Sequence, residues 1–354
     1  MSAVVGAALR ALRSKACFFV RDDLAVARIS GDDRVDFMHR IISADVRKLA
    51  TGAGLPAALL TAKGRVIADM LLLRGEATLT MIVDASVKAR VGELLERYII
   101  VDDVELAFDE RVVVSAHGPR LAESALLGAL AALAPYETRA AEVGGVSCLA
   151  FGDDHLATLG VALVTAGADD ASRLAAALQA EGLVRGDADA YEVARVEAGV
   201  PRTGRELDED VMILEAGQLS RVSFDKGCYI GQEPVCRVNS RGRVQRLLVG
   251  LRFDGERAPT AGEELAAEGK DNAGRVTSVV RSPGALGDQL AGEAALLGLG
   301  YVHRSYAAPG TRLTFGGEGE GVAEVVALPF VGGERTPSVL PRYKQPPTSG
   351  GDEA

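Results

Sequence analysis

The 354-residue chain has no tryptophan, 5% aromatic residues and four cysteines. The aromatic shortage argues against stacking platforms for single-stranded nucleic acid. Cys17, Cys148, Cys228 and Cys236 form no CxxC pair and join no local histidine cluster. No metal site is therefore expected from spacing, and four cysteines in so long a chain are not a disulfide scaffold. A reducing compartment fits. Positive charge is also short: 39 basic against 49 acidic residues leave a net −10. No strong positive field is present for direct nucleic-acid binding.

Long apolar runs are missing too. No window reaches the roughly 18–20 uncharged apolar residues of a spanning helix, so no membrane partner is expected. The most apolar stretch, Leu121 to Ala134, carries Glu123 and reads as a buried helix. Arg10 and Arg13 interrupt what would be the apolar part of a signal peptide. The N-terminus is acid-poor up to Asp22, which leaves a transit peptide as the lesser alternative to an amphipathic first helix in a cytoplasmic protein. GxxxxGK[ST], HExxH and GxSxG do not occur, and no GxGxxG opens a helix after a strand. Nucleotide triphosphate, zinc hydrolase, serine hydrolase and nicotinamide chemistry lose their usual handles.

What remains is a globular composition, 48% hydrophobic and 25% charged, long enough for two or three domains. Cys17–Val20 and Leu24–Ile29 read as a hairpin around Arg21-Asp22-Asp23, and Asp33 as the cap of a helix from Arg34 to Ile42. Alternating runs at Ala57–Thr61, Val66–Leu73 and Ala77–Val83 predict an antiparallel meander. Ser86 can cap a helix to Tyr98. Strands are expected at Val104–Phe108, Val112–Ala116, Val146–Phe151 and Leu156–Thr165, and helices at Asp170–Glu181 and Ala188–Ala198. From Leu247 to Val326 short strands alternate with glycine turns, the pattern of a small β-barrel. Residues beyond Gln345 read as a disordered tail. The irregular order of strands and helices predicts an α+β fold with mainly antiparallel sheets.

One segment stands out chemically: Lys226-Gly227-Cys228-Tyr229-Ile230-Gly231-Gln232-Glu233. Glycines permit tight backbone, and a nearby ammonium favours a thiolate over a thiol. Pro234 is expected to end the loop without a helix. A buried cysteine in a glycine turn is the plainer reading. Glu197 ends a helix, where the dipole disfavours a carboxylate, and the triplet Glu-Ala-Gly recurs at Glu215. A cleft carboxylate can accept two parallel N–H bonds from the amidine-like edge of a guanine or pterin. Arg237, Arg241, Arg243 and Arg246 fall within ten residues, either as a solvated interdomain loop or as a clamp for carboxylates or phosphates.

"KGCYIGQE", with "VEAGVP" and "LEAG" before it and "RVNSRG" after it, resembles the folate-binding YgfZ family, relatives of the glycine-cleavage T protein. "ISGDDRVDFMHRIISADVRKL" and "AALLTAKGRVIADMLL" extend the resemblance, which covers about residues 17–330. It implies two ferredoxin-like modules around a central folate site, plus a C-terminal barrel. The expected boundaries are 1–112, 113–242, 243–335 and a tail at 336–354. It also implies a cofactor, tetrahydrofolate or a one-carbon derivative. The implied task is assembly or repair of iron–sulfur clusters in client enzymes, tRNA-modifying radical enzymes among them; the alternatives are a folate-dependent aminomethyltransferase or demethylase and a non-catalytic docking protein stabilised by folate. A transient cluster at the cysteines is compatible with this.

Residue by residue, the resemblance implies that Glu197 meets the pterin edge, with Arg195 and Glu215 bordering the site. Cys228 is the signature cysteine, flanked by Lys226, Tyr229 and Gln232. Arg237, Arg241 and Arg243 would meet the glutamyl tail. The transferases carry an Asp-Asp pair where this chain has Ala68-Asp69. If Ala68 holds the catalytic position, aminomethyl transfer is compromised; if Asp69 does, that chemistry stays open.

Overall fold

The computed structural model describes residues 2–241, 244–255, 257–283, 294–316 and 321–331. Helices are α1 (Ala3–Ser14), α2 (Arg34–Ile41), α3 (Lys88–Tyr98), α4 (Ala168–Glu181), α5 (Ala188–Glu197) and α6 (Gln232–Arg241). The first sheet orders β3 (Gly54–Leu60), β4 (Val66–Arg74), β5 (Leu79–Asp84), β2 (Leu24–Ser30) and β6 (Glu105–Phe108). Without β3, its order is that of a ferredoxin-like βαββαβ unit, with α2 and α3 as the two crossovers.

The second sheet orders β11 (Val184–Gly186), β1 (Cys17–Arg21), β7 (Val112–His117), β10 (Gly160–Thr165), β9 (Val146–Gly152) and β8 (Thr138–Val143). It repeats the ferredoxin-like plan, with β1 inserted between β7 and β11. A closed barrel follows: β12 (Arg246–Gly255), β15 (Ala295–His303), β14 (Lys270–Ser282), β13 (Glu264–Ala267), β16 (Arg312–Phe315) and β17 (Gly321–Val326). The α+β fold with antiparallel sheets and a C-terminal barrel is thus the one expected.

Strand alternation sets how the layers meet. Along β4, Ala68, Met70 and Leu72 enter the core beneath α2 and α3, while Leu71 and Leu73 join Val26, Ile82, Val113, Phe151, Ala162 and Val164. The second set is the seam where the two sheets pack face to face. A period of two therefore puts Asp69 on the seam side and Ala68 in the opposite core. On the same face of the second sheet as the seam, at its β1 edge, α1 and α5 pack against the barrel through Leu9, Leu12, Val193, Leu297 and Leu299, while α4 covers the opposite face.

Four expectations change. Cys17–Arg21 and Leu24–Ser30 are strands about a turn, but they do not form a hairpin: β1 pairs with β7 and β11, β2 with β5 and β6. Their inner faces feed different cores, which separates them. The sheets consequently do not follow the linear division at 112/113. Residues 121–134 form only a short 3-10 turn, Leu121–Glu123, followed by turns. Leu121, Leu127, Leu130 and Leu133 are still buried, so tertiary packing overrides the helical composition. Pro234 does not end the chain's regular structure. It lies in the first turn of α6, where its missing N–H is not needed. Asp33 precedes α2 without capping it; its carboxylate accepts from the Asp103 amide at 2.8 Å instead. The tail at 336–354 lies outside the described residues.

Candidate functional site

At one end of the seam the sheets part around a cavity of ≈ 120 Å³, near the roughly 150 Å³ that admits one aromatic ring. The first sheet contributes Pro56, Asp69, Leu71, Ile82 and Asp84, and the second Arg21, Val113, Phe151 and Ala162. Asp153, His155, Tyr136, Tyr191 and the segment Val200–Thr203 close it, with Arg195 and Arg221 behind.

Its polar groups are held in pairs. The Thr203 hydroxyl donates to Asp69 Oδ1, and Arg221 Nη2 lies 3.2 Å from Asp69 Oδ2. Arg221 is itself fixed by Gln218 at 3.1 Å and the Met70 carbonyl at 3.3 Å. Arg202 donates to Asp84 at 2.8 Å and lies 3.2 Å from Asp23. Arg21 pairs with Asp23 at 2.8 Å and sits 3.6 Å from the Tyr191 ring centre. Across the cavity, Asp153 Oδ1 meets His155 Nδ1 at 2.7 Å. Burial alone would raise the Asp153 carboxyl, but the charges of His155 and His117 and the hydrogen bonds from His155 hold it below the ordinary range.

Of the residues named from sequence, the cavity gathers Asp69 and Arg195. Arg195 is fully buried, and its guanidinium is committed to Glu192, Glu206 at 2.7 Å, Ser278 at 2.6 Å and the Val200 carbonyl at 3.2 Å. Glu197 is buried but does not line the cavity. Arg13 of α1 and Ser282 of the barrel occupy its carboxylate, which answers why an acid ends this helix. Glu215 also lies elsewhere, accepting from the Met212 amide at 3.0 Å and facing Arg65 at 3.4 Å and Arg246 at 3.3 Å. Those contacts tie the β3–β4 turn to the start of the barrel.

The cysteine loop is a separate surface element. Cys228 is exposed, and all four cysteines are free thiols. Lys226 is buried beneath it. Its ammonium donates to the carbonyls of His39, Ile42 at 2.7 Å and Ala44 at 2.9 Å, closing the C-terminal end of α2. Burial pushes that amine down to about 8, with Asp45 opposing. The ammonium expected to favour a thiolate is therefore spent on backbone. Gln232 donates to the carbonyls of Lys226 at 3.4 Å and Gly227 at 3.5 Å.

Gly231 has φ +82°, and a Cβ there would lie 2.5 Å from the Thr61 carbonyl oxygen. Only glycine lets the loop rest on the β3–β4 turn. Tyr229 is buried with its hydroxyl unbonded. Arg237 pairs with Glu233 on exposed α6. Arg241 ends α6, but its side chain and the whole of Arg243 lie outside the described residues.

Sequence reasoning missed Asp84, Asp153, His155, Arg202, Thr203 and Arg221. The available signals were small: Arg202-Thr203 follow directly on "EAGVP", and Asp153 and His155 follow a buried strand. Among the described residues, no group of three or more histidine, cysteine or acidic side chains is placed to hold a metal. Among them too, no helix is long and apolar enough to cross a membrane.

Comparison with known proteins follows the same lines. The GCVT N-terminal domain family matches residues 1–226. The tRNA-modifying protein YgfZ of Klebsiella pneumoniae is 29% identical over 267 residues, covering 73% of this chain and 78% of the relative. An aminomethyltransferase of Saccharopolyspora erythraea is 29% identical over 334 residues, covering 90% and 88%. The glycine cleavage system aminomethyltransferase T of Bartonella henselae superposes with a TM-score of 0.80 at 20% identity, over 92% of this chain and 89% of that one. That likeness establishes a common fold. The chain belongs to the family of the GCVT N-terminal domain, with YgfZ-type proteins and aminomethyltransferases as its relatives.

Proposed function

We propose that the cavity binds tetrahydrofolate, or a one-carbon derivative of it, and that the protein assists assembly or repair of iron–sulfur clusters in client enzymes. Asp69 carries this reading. A carboxylate has about four acceptor positions, and Thr203 and Arg221 take two, which leaves acceptor capacity facing the cavity. An amidine-like pterin edge offers the matching pair of N–H groups. Tyr136, Phe151 and Tyr191 supply apolar and aromatic wall of ring size. In this reading Asp69 takes the role that the resemblance assigned to Glu197, which does not line the cavity.

When bound, tetrahydrofolate supplies a carrier nitrogen for one-carbon units. The chain's own part is to hold the ring, exclude water and fix Asp69 beside it. Cys228 serves separately. Its exposed position on a loop anchored from within suits contact with a partner's cluster or sulfur. Clients that modify tRNA fit the name of the YgfZ relative.

Anaerobic calorimetry with tetrahydrofolate tests the pocket: wild type binds and Asp69→Ala binds weakly. Client activity in cells tests Cys228, which Cys228→Ser should abolish while folate binding survives. Normal client activity in that variant removes the assigned role.

A second reading is favoured by one observation. Asp69, not Ala68, faces the cavity, so the missing acid at Ala68 does not argue against aminomethyl transfer. Formation of methylene-tetrahydrofolate from an aminomethyl donor supports that reading; no turnover with binding intact rejects it.

A further inference from the structure

A second opening lies beside the cysteine loop and has no part in folate binding. It is a wide groove of ≈ 600 Å³, within the range of ligand-binding clefts. One wall is the segment Ala44–Ala50 with the start of β3, and the other is Ser220–Asp225. Asp225 is three residues from Cys228, so their Cα atoms are at most about 11 Å apart. The Lys226 ammonium that anchors the loop donates at 2.9 Å to the carbonyl of Ala44, itself a wall residue.

The walls are held together before any guest arrives. Ser43 stitches them. Its amide donates to the Ala58 carbonyl at 3.0 Å, its hydroxyl accepts from the Ala58 amide at 2.9 Å, and its carbonyl accepts from the Ser223 amide at 2.9 Å. The floor is apolar, from Leu49, Leu55, Val222 and Phe224, of which Leu55 and Phe224 are partly exposed. Apolar surface left open to water gains by being covered. With ≈ 600 Å³ against ≈ 120 Å³ in the first cavity, the groove suits a run of side chains rather than a single ring.

Charge selects what covers it. The lip carries Asp45, Lys48 and Asp225. Lys48 Nζ lies 3.4 Å from Asp45 Oδ2, and the Lys226 ammonium is turned inward onto three carbonyls. Asp225 is exposed, and among the described residues no cation pairs with it. Its uncompensated charge disfavours phosphate and nucleic acid and favours a cationic guest.

We propose that this groove docks an extended polypeptide segment of a client, apolar with at least one lysine or arginine, and lays that segment alongside Cys228. The apolar side chains cover Leu55 and Phe224, and the cation meets Asp225. That the partner is a client rests on the function proposed for Cys228; the chemistry of the groove does not.

Thiol exchange on the intact protein tests the groove. The probe is a synthetic peptide of one cysteine, two glycines and Leu-Lys-Leu-Lys-Leu, activated as its 2-pyridyl disulfide. The Cys228 thiolate displaces pyridine-2-thione and forms the peptide disulfide, and added mercaptoethanol makes the exchange reversible. Mass spectrometry reads the fraction of Cys228 that carries peptide. The lysine peptide should be held more firmly than its glutamate counterpart, by up to about fivefold per charge contact, and should lose retention when serine replaces its leucines. Asp225→Lys should reverse the charge preference. Ala50→Arg, at an exposed wall position, should release both peptides. Equal retention of the lysine and glutamate peptides, or retention unchanged in both variants, overturns the proposal.

The second arm is client activity in cells, which Asp225→Lys and Ala50→Arg should lower. Normal activity in both overturns the client as occupant. The role of the sulfur is read separately. Selective peptide retention with normal client activity in Cys228→Ser removes the task of the thiol and keeps the groove. Activity lost in Cys228→Ser without selective retention keeps the thiol and removes the groove.

Discussion

The cavity and the cysteine loop are built by opposite means. The cavity draws Asp69, Tyr136, Asp153, Arg202 and Arg221 from separate parts of the chain. The cysteine loop is contiguous from Lys226 to Gly231, and its anchors point inward so that Cys228 stays outside. One region is a composite of distant residues that only the fold assembles. The other is a local motif that needs only a platform. The cavity and the exposed sulfur are thus separable parts of the molecule, and substitutions should divide them.

The largest effect should come from the charge network behind the cavity. Glu206→Gln leaves Arg195 buried without its 2.7 Å partner, a loss of about 3–5 kcal/mol readable as a lower denaturant midpoint. Asp69→Ala comes next. Removing a charged acceptor costs about 1.5–3 kcal/mol, so tetrahydrofolate affinity should fall roughly ten- to a hundredfold by calorimetry.

His117 sets an acid limit. Its native ring stays neutral down to about 4, whereas the unfolded ring takes a proton near 6.5. The unfolded state binds more protons in between, so stability falls with falling pH by up to about 1.4 kcal/mol per unit. In His117→Gln that part of the slope should vanish from a pH series of unfolding curves. Lys226→Met should cost about 1–3 kcal/mol, because the carbonyls of His39, Ile42 and Ala44 at the end of α2 lose their donor, and the loop should become more open to proteolysis. Cys228→Ser is the smallest structural change, within about 0.5 kcal/mol, with ligand affinity unchanged and client function lost. If it weakened folate binding as much as Asp69→Ala, the separation of cavity and loop would fail.

Much of the fold was legible because strand alternation and helix periodicity are local. Helices α4 and α5 lie where the pattern predicts them, and the barrel spans the stretch expected for it. The failures share a physical cause. Which sheet a strand joins is decided by partners far along the chain, so β1 and β2 look like a hairpin and are not. The role of Glu197 depends on Arg13, 184 residues away, and no spacing rule reaches that far. Ala68 and Asp69 are the instructive contrast. The same period-two rule that predicts β4 also decides which residue faces the cavity, once the core side of the strand is known. The histidine pair on the opposite wall had no comparable signal, because His155 follows the end of a strand in a loop.

The insertion of β1 between β7 and β11 orders events during synthesis. Residues 17–21 are made before either neighbour: the antiparallel one ends at His117 and the parallel one begins at Val184. The strand has no antiparallel partner until residues 113–117 are made and no parallel one until residues 184–186 are made. The N-terminal segment therefore waits as an unpaired apolar strand while the first module condenses around α2 and α3. A nascent chain stalled before β11 would leave Phe19 without the α5 and barrel side chains that cover it, the kind of surface that holdase chaperones bind.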